Sequence, residues 1–295
     1  MRLALRDRMV DCVPGRPLVM GIVNASPDSF SDTAPPPSAD ALVERALAMV
    51  ADGAALIDVG GESGVTHSPI TAIDEEVARV VPVVDGLARE GVTVSVDTFK
   101  PQVARAALAA GAAMVNDVSG LADPQLAELC AETGAALVVM HTRAQPKVEH
   151  FPGYDDVVGD VEVFLGERMA AARAAGVREE QIVLDPGPDF AKRPAETVAV
   201  LRALERLGGL GRPLLAAVSR KYFLGAITGR SPDRRLGATV AAVLWAADAG
   251  AAIVRVHDVA DAVDALAVHD VLRGDTELPP FDAADETLKW TRRAE

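Results

Sequence analysis

A short segment that occurs four times constrains the fold of this chain more than any other feature. Each copy reads Gly-Ala-Ala and runs into a pair of large aliphatic residues, and the copies begin at Gly53, Gly111, Gly134 and Gly250. A glycine that ends a helix in the left-handed conformation, followed by a short buried strand, returns a helix to a parallel sheet. Three copies place a polar residue five positions after the glycine, namely Asp58, Asn116 and Arg255. We therefore predict polar side chains at the carboxyl ends of these strands.

Four less regular segments add further strands to this pattern. They are residues 18–23, 92–96, 182–184 and 214–218, which precede Asn24, Asp97, Asp185 and Ser219. Alanine-rich stretches with helical spacing of apolar residues separate most of the eight strands. Eight alternating strand and helix units predict an α/β fold of the (β/α)₈ TIM barrel type, with functional groups on the loops at the carboxyl face. A doubly wound open sheet is the alternative, but its dinucleotide-binding glycine fingerprint is missing.

The length of 295 residues favours a single domain. We expect residues 1–17 to form a strand pair that closes the barrel bottom, residues 18–273 to form the barrel, and residues 274–295 to form a C-terminal tail. Hydrophobic residues make up 49% of the chain and aromatic residues 4%, which suits a core of Ala, Val and Leu. No apolar run is long enough to cross a bilayer, and the first 17 residues lack the apolar stretch of a secretory signal. We therefore expect a cytoplasmic protein with no membrane partner.

The formal net charge of −14 argues against nucleic acid as a partner, because phosphate backbones are bound by basic surfaces. An anionic small molecule remains compatible with this charge. Basic residues and one histidine lie at or just after strand ends, so a local positive pocket is predicted. These residues are Lys192, Arg220, Lys221, Arg255 and His257. Cys12 and Cys130 are the only cysteines and give little support to disulfide or zinc chemistry.

The residue types at the strand ends predict recognition of a flat, hydrogen-bonding heterocycle. Asp97, Asn116 and Asp185 bring carboxylate and amide groups, while Lys221 and Arg255 bring fixed donors. Such a set can match the donors and acceptors along the edge of a ring. Each residue alone could simply satisfy the polar end of a strand. Together they indicate a heterocycle that carries an anionic leaving group.

Eight motifs resemble those of the dihydropteroate synthase family in order and in spacing. The resemblance extends from about residue 18 to about residue 272. Eight motifs at the ends of eight strands are far more specific than any one of them. They are GIVNASPDSFSD (residues 21–32), DVGGES (58–63), SVDT (95–98), NDVSG (116–120), MH (140–141), DPG (185–187), SRK (219–221) and RVH (255–257).

The resemblance implies a transferase of folate biosynthesis. The family joins p-aminobenzoate to 6-hydroxymethyl-7,8-dihydropterin pyrophosphate, and releases pyrophosphate and 7,8-dihydropteroate. By similarity, four residues hydrogen-bond the pterin, and Arg255 and Phe190 cover its two ring faces. Those four residues are Asp97, Asn116, Asp185 and Lys221.

The resemblance also implies positions for the metal, the leaving group and the second substrate. Asn24 is expected to hold Mg²⁺ against the pyrophosphate, and His257 to receive the leaving phosphates. Ser219 and Lys221 are expected to line the p-aminobenzoate entrance. Phe30, in a loop predicted to cover the site, and Ser63 complete the expected substrate contacts. The family resemblance further implies a homodimer formed through helices late in the barrel.

The chemistry of this reaction fits the predicted residues. Breaking a carbon–oxygen bond at the exocyclic methylene places positive charge on the pterin and negative charge on pyrophosphate. Asp97 and Asp185 favour the cationic ring, while Mg²⁺ with His257 favours the departing anion. One such contact contributes about 3 to 4 kcal/mol to lowering the barrier. The arylamine is neutral near pH 7, so its orientation matters more than a general base. The catalytic set is therefore Asp97, Lys221, Arg255 and His257.

Two departures from the family pattern leave other functions open. Residues 64–69 read GVTHSP where the family has Thr-Arg-Pro-Gly, so the loop arginine that meets pyrophosphate is missing, and Thr66 or His67 is a candidate substitute. Asp189 and Ala191 replace glycines that flank Phe190, which adds charge and bulk beside the pterin slot. The alternatives are a divergent paralogue with weak or altered activity or resistance to sulfonamide mimics, a methyltetrahydrofolate:corrinoid methyltransferase-like enzyme, and a noncatalytic pterin-binding protein.

Overall fold

The protein is a (β/α)₈ barrel, as the eight alternating units predict. The computed structural model describes residues 1–26, 37–62 and 69–278. The barrel strands are β3 (Leu18–Asn24), β4 (Leu56–Gly60), β5 (Val94–Asp97), β6 (Met114–Asp117), β7 (Ala136–Met140), β8 (Ile182–Asp185), β9 (Leu215–Ala216) and β10 (Ile253–Val256). The helices are α1 (Ala39–Ala51), α2 (Ile73–Arg89), α3 (Pro101–Ala109), α4 (Gln125–Thr133), α5 (Val157–Ala174), α6 (Pro194–Arg202), α7 (Leu204–Gly208), α8 (Tyr222–Thr228), α9 (Leu236–Asp248) and α10 (Val259–Arg273).

The strands form one parallel sheet that curls on itself. Their order is β8-β7-β6-β5-β4-β3-β10-β9. The two end strands meet where the backbone N–H of Leu184 donates to the carbonyl of Pro213 at 2.9 Å, beside a parallel bridge from Leu184 to Leu214. Among the described residues, no helix has both the length and the apolar character needed to cross a bilayer.

The four Gly-Ala-Ala segments turn the chain from a helix into a strand, as predicted. Gly53, Gly111, Gly134 and Gly250 have φ angles of 104°, 112°, 74° and 85°, which lie in the left-handed region that favours glycine. The strands that follow are fully enclosed, with Ile57, Val115, Leu137 and Val254 each 0% exposed. In each segment, the buried strand therefore begins a few residues after the glycine that ends the preceding helix.

Two further strands form the predicted pair at the N-terminus. They are β1 (Arg2–Leu5) and β2 (Arg8–Asp11), which pair antiparallel. Leu3 and Leu5 pack into the lower layer of the barrel lumen, together with Met20, Leu56 and Met114 from three barrel strands. This pair fills the bottom of the lumen, and the domain boundaries at residues 17 and 273 stay predictions.

The alternation of side chains along each strand positions the functional end of the barrel. Successive residues of a strand point to opposite faces, so a residue two places beyond a lumen-filling residue also points inward. In β4 that step leads from Leu56 to Asp58, and in β6 from Met114 to Asn116. In β10 it leads from Ile253 to Arg255. A polar layer therefore lies above the hydrophobic one, at the carboxyl ends of the strands.

Candidate active site

A cavity of about 870 Å³ opens at the carboxyl end of the barrel. Eight of the residues predicted from the sequence share this cavity. They are Asn24, Asp97, Asn116, Asp185, Phe190, Lys221, Arg255 and His257. Ser219 lies behind His257 and contacts its ring. Phe30, Ser63, Thr66 and His67 lie outside the described residues, so the predictions that concern them stay predictions.

Arg255 connects three strands at the floor of the cavity. Its Nε donates to Asp58 Oδ2 at 2.6 Å, and its Nη2 donates to Asp97 Oδ2 at 2.7 Å. Asn116 Nδ2 also donates to Asp58 Oδ2, at 3.0 Å. The planar guanidinium can bridge two carboxylates because its donors are held in a rigid fork. This network fixes the orientation of the Asp97 carboxylate at the cavity.

Asp97 combines enclosure with partial access to the cavity. Its side chain is 24% exposed, and that fraction opens into the cavity at the end of β5. Desolvation by burial, with a smaller contribution from the negative charge of Asp58, raises the pKa of Asp97 to about 7 despite the opposing effect of Arg255. The carboxylate therefore changes its protonation state near neutral pH.

Asp185 shapes the turn that follows β8. Its Oδ1 accepts a hydrogen bond from the backbone N–H of Gly187 at 2.7 Å, and burial raises the pKa of this carboxyl above its usual value. On the next loop, Lys221 Nζ donates to the carbonyl of Pro188 at 3.1 Å. The same Nζ lies 4.2 Å from the centroid of the Phe190 ring, within the range of a cation–π contact. Burial lowers the pKa of Lys221.

His257 and Ser219 form a pair at the side of the cavity. Ser219 Oγ accepts from the backbone N–H of His257 at 3.2 Å and lies 2.9 Å from His257 Nδ1. The hydroxyl oxygen has two lone pairs, so it can accept from the backbone N–H and still share a hydrogen bond with Nδ1. Burial, together with the positive charges of Arg255 and Arg220, lowers the pKa of His257 to about 4. The imidazole of His257 is therefore neutral near pH 7.

A buried lysine, Lys192, supports the turn after β8, whereas the sequence predicts it only as one of the basic residues around the cavity. Lys192, which is 1% exposed, donates to the carbonyls of Gly187 at 3.0 Å and Phe190 at 3.1 Å. Its Nζ also lies 2.7 Å from His141 Nδ1, and His141 Nε2 lies 2.8 Å from Asp160 Oδ1. Burial lowers the pKa of Lys192 to about 7 and that of His141 to about 3. The MH motif supplies a signal for His141, but its partners are distant in sequence.

A second unpredicted cluster supports the loop after β5. Thr98 Oγ1 donates to Glu76 Oε1 at 2.8 Å, and Lys100 Nζ donates to Glu76 Oε2 at 2.5 Å. Lys100 also forms an ion pair with Glu62, on the loop after β4. Glu62 and Glu76 line the cavity, so this cluster connects two loops beside Asp97.

The segment from Thr142 to Asp156 carries more information than its sequence indicates. Its two prolines, Pro146 and Pro152, give it the character of a loop. Thr142 and residues 144–151 form part of the cavity wall. This role is invisible in the sequence because the segment has no motif of its own and reaches the cavity only through the path of its backbone.

Asp189 lies beside the cavity, where the sequence predicts an added charge, and that charge is held by hydrogen bonds. Its carboxylate accepts hydrogen bonds from Thr197 and from the backbone of Phe223. Asp189 and Ala191 have the positive φ angles, 63° and 52°, that suit the glycines of the family pattern. The turn is therefore preserved without the glycines.

This arrangement is the site of a pterin-binding enzyme. The family model described as "Pterin binding enzyme" matches residues 20–257. A dihydropteroate synthase of Mycobacterium leprae (strain TN) is 46% identical over 259 residues, which cover 85% of this chain and 91% of the relative. The chain therefore belongs to the dihydropteroate synthase family, and the protein is a transferase of folate biosynthesis.

Solved structures give the same result for the fold. The Xanthomonas albilineans dihydropteroate synthase with 4-aminobenzoic acid matches with a TM-score of 0.86 at 43% identity, over 94% of this chain and 99% of that chain. The structure of the X. albilineans enzyme in complex with 7,8-dihydropteroate matches with a TM-score of 0.84 at 42% identity, over 95% and 100% of the two chains. The resemblance read from the eight motifs is confirmed.

Proposed function

We propose that this protein condenses p-aminobenzoate with 6-hydroxymethyl-7,8-dihydropterin pyrophosphate and releases pyrophosphate and 7,8-dihydropteroate. The observation that carries this proposal is the convergence of Asp97, Asn116 and Asp185 with Lys221 and Arg255 in one cavity. These groups come from five different strands or loops, and each can contact the edge or face of a flat ring. The named ligands of the two X. albilineans structures support the same substrates.

The carboxylates serve the electrophilic end of the reaction. As the carbon–oxygen bond breaks, the pterin gains positive charge, which Asp97 and Asp185 stabilise because both lie in a desolvated region. A fixed charge or dipole of this kind contributes about 3 to 4 kcal/mol when it is aimed at developing charge. Arg255 holds Asp97 in place through the hydrogen bond to Oδ2. The protein thereby supplies oriented charge without forming a covalent bond to the substrate.

Lys221 and Phe190 orient the rings of the two substrates, the pterin and p-aminobenzoate. The ammonium lies over the Phe190 ring and is fixed by the Pro188 carbonyl, so its position is defined before substrate arrives. A neutral arylamine needs alignment with the breaking bond more than it needs deprotonation. We assign the p-aminobenzoate entrance to the side of Lys221 that faces Ser219, in keeping with the family resemblance.

His257 serves the departing anion as a hydrogen-bond donor. We assign the tautomer in which Nδ1 accepts from Ser219 Oγ, so that Nε2 carries the ring proton. The free ring is neutral at pH 7, and a pyrophosphate nearby raises its pKa because the anion favours the charged form. His257 can therefore strengthen its interaction as negative charge grows on the leaving group.

We further propose that Mg²⁺ accompanies the pyrophosphate. Among the described residues, no group of three or more His, Cys, Asp or Glu side chains converges as a metal site. Mg²⁺ commonly takes one or two protein oxygens and completes its shell with water and substrate phosphates. Asn24, at the end of β3 in the cavity wall, fits the part of a single oxygen ligand. When bound, Mg²⁺ supplies positive charge that stabilises the departing pyrophosphate.

We also propose that two copies of the chain form a homodimer through the outer faces of α9 and α10. Residues 236–247 contain no charged residue, although this helix lies on the surface. Trp245 is 52% exposed on α9, and on α10 Val268 is 60% exposed and Leu272 is 82% exposed. An exposed apolar surface of this kind marks an interface, and a second copy presents the same surface.

Cellular location and inhibitor binding follow as smaller proposals. A cytoplasmic location fits Cys12 and Cys130, which are both free and buried, because reducing compartments keep thiols unpaired. Sulfonamides, as mimics of p-aminobenzoate, are expected to compete for the entrance beside Lys221. The relatives favour the synthase over methyl transfer to a corrinoid and over binding alone. Measuring the rate of the synthase reaction distinguishes an ordinary synthase from a divergent paralogue with altered turnover.

The deciding experiment measures pyrophosphate release from the purified protein with both substrates and Mg²⁺. We expect release that depends on p-aminobenzoate and falls about 100-fold or more in Lys221→Ala, because this change removes a charge that positions both rings. Arg202→Ala is the matched control, since it removes an exposed positive charge on α6, away from the cavity. No release above a protein-free reaction overturns the proposal. Transfer of a methyl group from methyltetrahydrofolate to a corrinoid acceptor supports the alternative function, a corrinoid methyltransferase.

A further inference from the structure

Asp189 adopts an unusual backbone conformation beside the cavity. Its φ is 63°, in the left-handed region, although it is not a glycine. Aspartate tolerates this region better than most residues but still at a cost. Such a conformation persists where surrounding contacts fix it, and it is a reason to look for a functional role.

The carboxylate of Asp189 ties three parts of the chain together. Oδ1 accepts from Thr197 Oγ1 on α6 at 3.1 Å, and Oδ2 accepts from the backbone N–H of Phe223, the second residue of α8, at 3.1 Å. The backbone N–H of Asp189 donates to the same Thr197 Oγ1 at 3.0 Å. The loop after β8 is therefore fastened to both helices that flank it.

The two residues held by this tether are those that orient the rings. Phe190 directly follows Asp189, and Lys221 directly precedes α8. The distance of 4.2 Å between the Lys221 ammonium and the Phe190 ring centroid spans the two tethered segments. Fixing the start of α8 to the loop after β8 thus fixes Lys221 relative to Phe190.

Asp189 also acts on Lys221 through its charge. Burial lowers the pKa of Lys221, and among the neighbouring charges Asp189 opposes this most strongly, followed by Asp185. Asp97 acts in the same direction, whereas Arg255 acts against it. Lys192 is the other ammonium that faces this region, and the charge of Lys221 lowers its pKa. The negative charge of Asp189 therefore helps to keep Lys221 protonated.

We propose that Asp189 is a positioning residue for the transfer reaction, which holds the Lys221 ammonium against Phe190 by fastening the loop after β8 to the start of α8. This inference rests on the proposed function. It assigns a purpose to a residue that departs from the glycine expected at this position. The residue acts through Lys221 and is not itself placed against the reacting atoms.

The test compares Asp189→Gly with Asp189→Asn. Glycine suits the left-handed φ but removes both accepted hydrogen bonds, whereas asparagine keeps an acceptor for Phe223 and removes the charge. We expect kcat/KM for p-aminobenzoate to fall about 10- to 100-fold in Asp189→Gly, with recovery of part of this loss in Asp189→Asn. The alkaline limb of the Asp189→Asn pH profile moves to lower pH, because losing the negative charge lowers the pKa of Lys221. Melting temperatures stay within about 4 °C of the parent.

Thr197→Val and Thr228→Val provide the paired controls. The first removes the hydroxyl that contacts Asp189, and the second removes a hydroxyl of α8 that instead donates to the Leu224 carbonyl at 2.7 Å. We expect Thr197→Val to follow Asp189→Gly in direction, and Thr228→Val to match the parent. Unchanged kcat/KM in Asp189→Gly, or equal pH profiles for Asp189→Asn and the parent, overturns the inference.

Calorimetric binding of 7,8-dihydropteroate separates this inference from the proposed function. If the parent releases no pyrophosphate, the proposed function fails, and the binding measurement still tests Asp189. We expect Asp189→Gly to bind the product about 10-fold or more weakly than the parent, because Lys221 and Phe190 are no longer aligned. Equal affinity shows that the tether does not position these residues.

Discussion

At the scale of single residues, the site is a set of charges whose protonation is set by burial. Arg255 forms ion pairs with both Asp58 and Asp97, and these three side chains lie in an enclosed part of the barrel. Removing one member of such a pair leaves a buried charge without compensation. The same enclosure raises the pKa of Asp97 and lowers that of His257. Asp97 therefore titrates above the usual range of a carboxyl, and His257 titrates below the usual range of an imidazole.

The raised pKa of Asp97 predicts pH-dependent pterin binding. Affinity for unphosphorylated 6-hydroxymethylpterin, measured by calorimetry, should increase as pH rises through about 7, because the ionised carboxylate accepts hydrogen bonds from the ring. Below this pH the protonated form loses that interaction. The alcohol avoids the titration of pyrophosphate itself, and His257, with a pKa of about 4, titrates too low to produce this change. Lys192, which also lines the cavity, has a pKa of about 7, so a variant that removes only the Asp97 charge is needed to separate the two groups.

Asp97→Asn provides the control for this pH dependence. The amide cannot ionise, so binding by the variant should be weak and should lack the increase near pH 7 that ionisation of Asp97 produces. Any change with pH that remains belongs to other groups, such as Lys192. A parent affinity that stays constant from about pH 5.5 to about pH 8.5 contradicts the assignment, because the carboxylate then has an ordinary pKa.

The sequence predicts individual site residues well where a strand end marks them. Asp97, Asn116, Asp185 and Arg255 are found in this way because the carboxyl ends of parallel strands converge. Asp58 is recognisable as a strand-end residue but not as part of the site. Its bond to Arg255 joins positions 197 residues apart, and no local pattern reveals such a pairing.

At the scale of elements, the turn after β8 is the most constrained connection of the site. Gly187 has a φ of 65°, and a Cβ at this position would lie 2.1 Å from the carbonyl oxygen of His141. The turn also receives hydrogen bonds from Lys192 and provides the N–H that binds Asp185. Its backbone therefore cannot shift without moving the residues that contact the pterin.

This constraint predicts a large effect for Gly187→Ala. We expect a loss of stability of about 2 kcal/mol or more, from left-handed strain together with the contact with the His141 carbonyl, and a parallel loss of pterin affinity. Urea unfolding and calorimetry measure the two effects. Gly229→Ala is the matched control, since Gly229 has a φ of 68° and a Cβ added there would meet nothing within 4 Å, so only about 1 kcal/mol of strain is expected. Similar losses in both variants would show that the carbonyl contact relaxes easily.

Element types are predictable from the sequence, whereas their bounds are less so. The apolar pattern predicts a strand over residues 214–218, but β9 spans only Leu215–Ala216. Burial of apolar side chains marks the whole segment, yet a strand also needs a partner at each position, and β9 pairs with β10 at two positions only. The strands β3 and β5 instead include Asn24 and Asp97, because their ladders continue to the last polar residue. Register between distant segments sets these limits.

At the scale of the whole molecule, the cavity contains basic side chains although the chain as a whole is acidic. The chain carries a formal net charge of −14, while Lys221 and Arg255 line the cavity that is proposed to receive an anionic substrate. Salt screens the charges on the exposed surface more strongly than charges inside a cavity. The electrostatic potential that a bound substrate experiences is therefore set mainly by the few charged groups that enclose it. Net charge therefore argues against nucleic acid as a partner without excluding pyrophosphate.

The proposed homodimer gives the last prediction, and it concerns the outer faces of α9 and α10. We expect sedimentation to give twice the chain mass of 30.8 kDa for the parent. Ala241→Glu and Val268→Glu place charge on the two exposed faces and should shift the protein towards one chain mass, because burying an unpaired carboxylate in an interface is costly. Val163→Glu, which changes a residue on α5 that is 59% exposed, should leave the mass unchanged. Helical content by circular dichroism should match the parent in all three variants. A parent that sediments at one chain mass across micromolar concentrations contradicts the proposal, as does a dimer that persists in both charged variants.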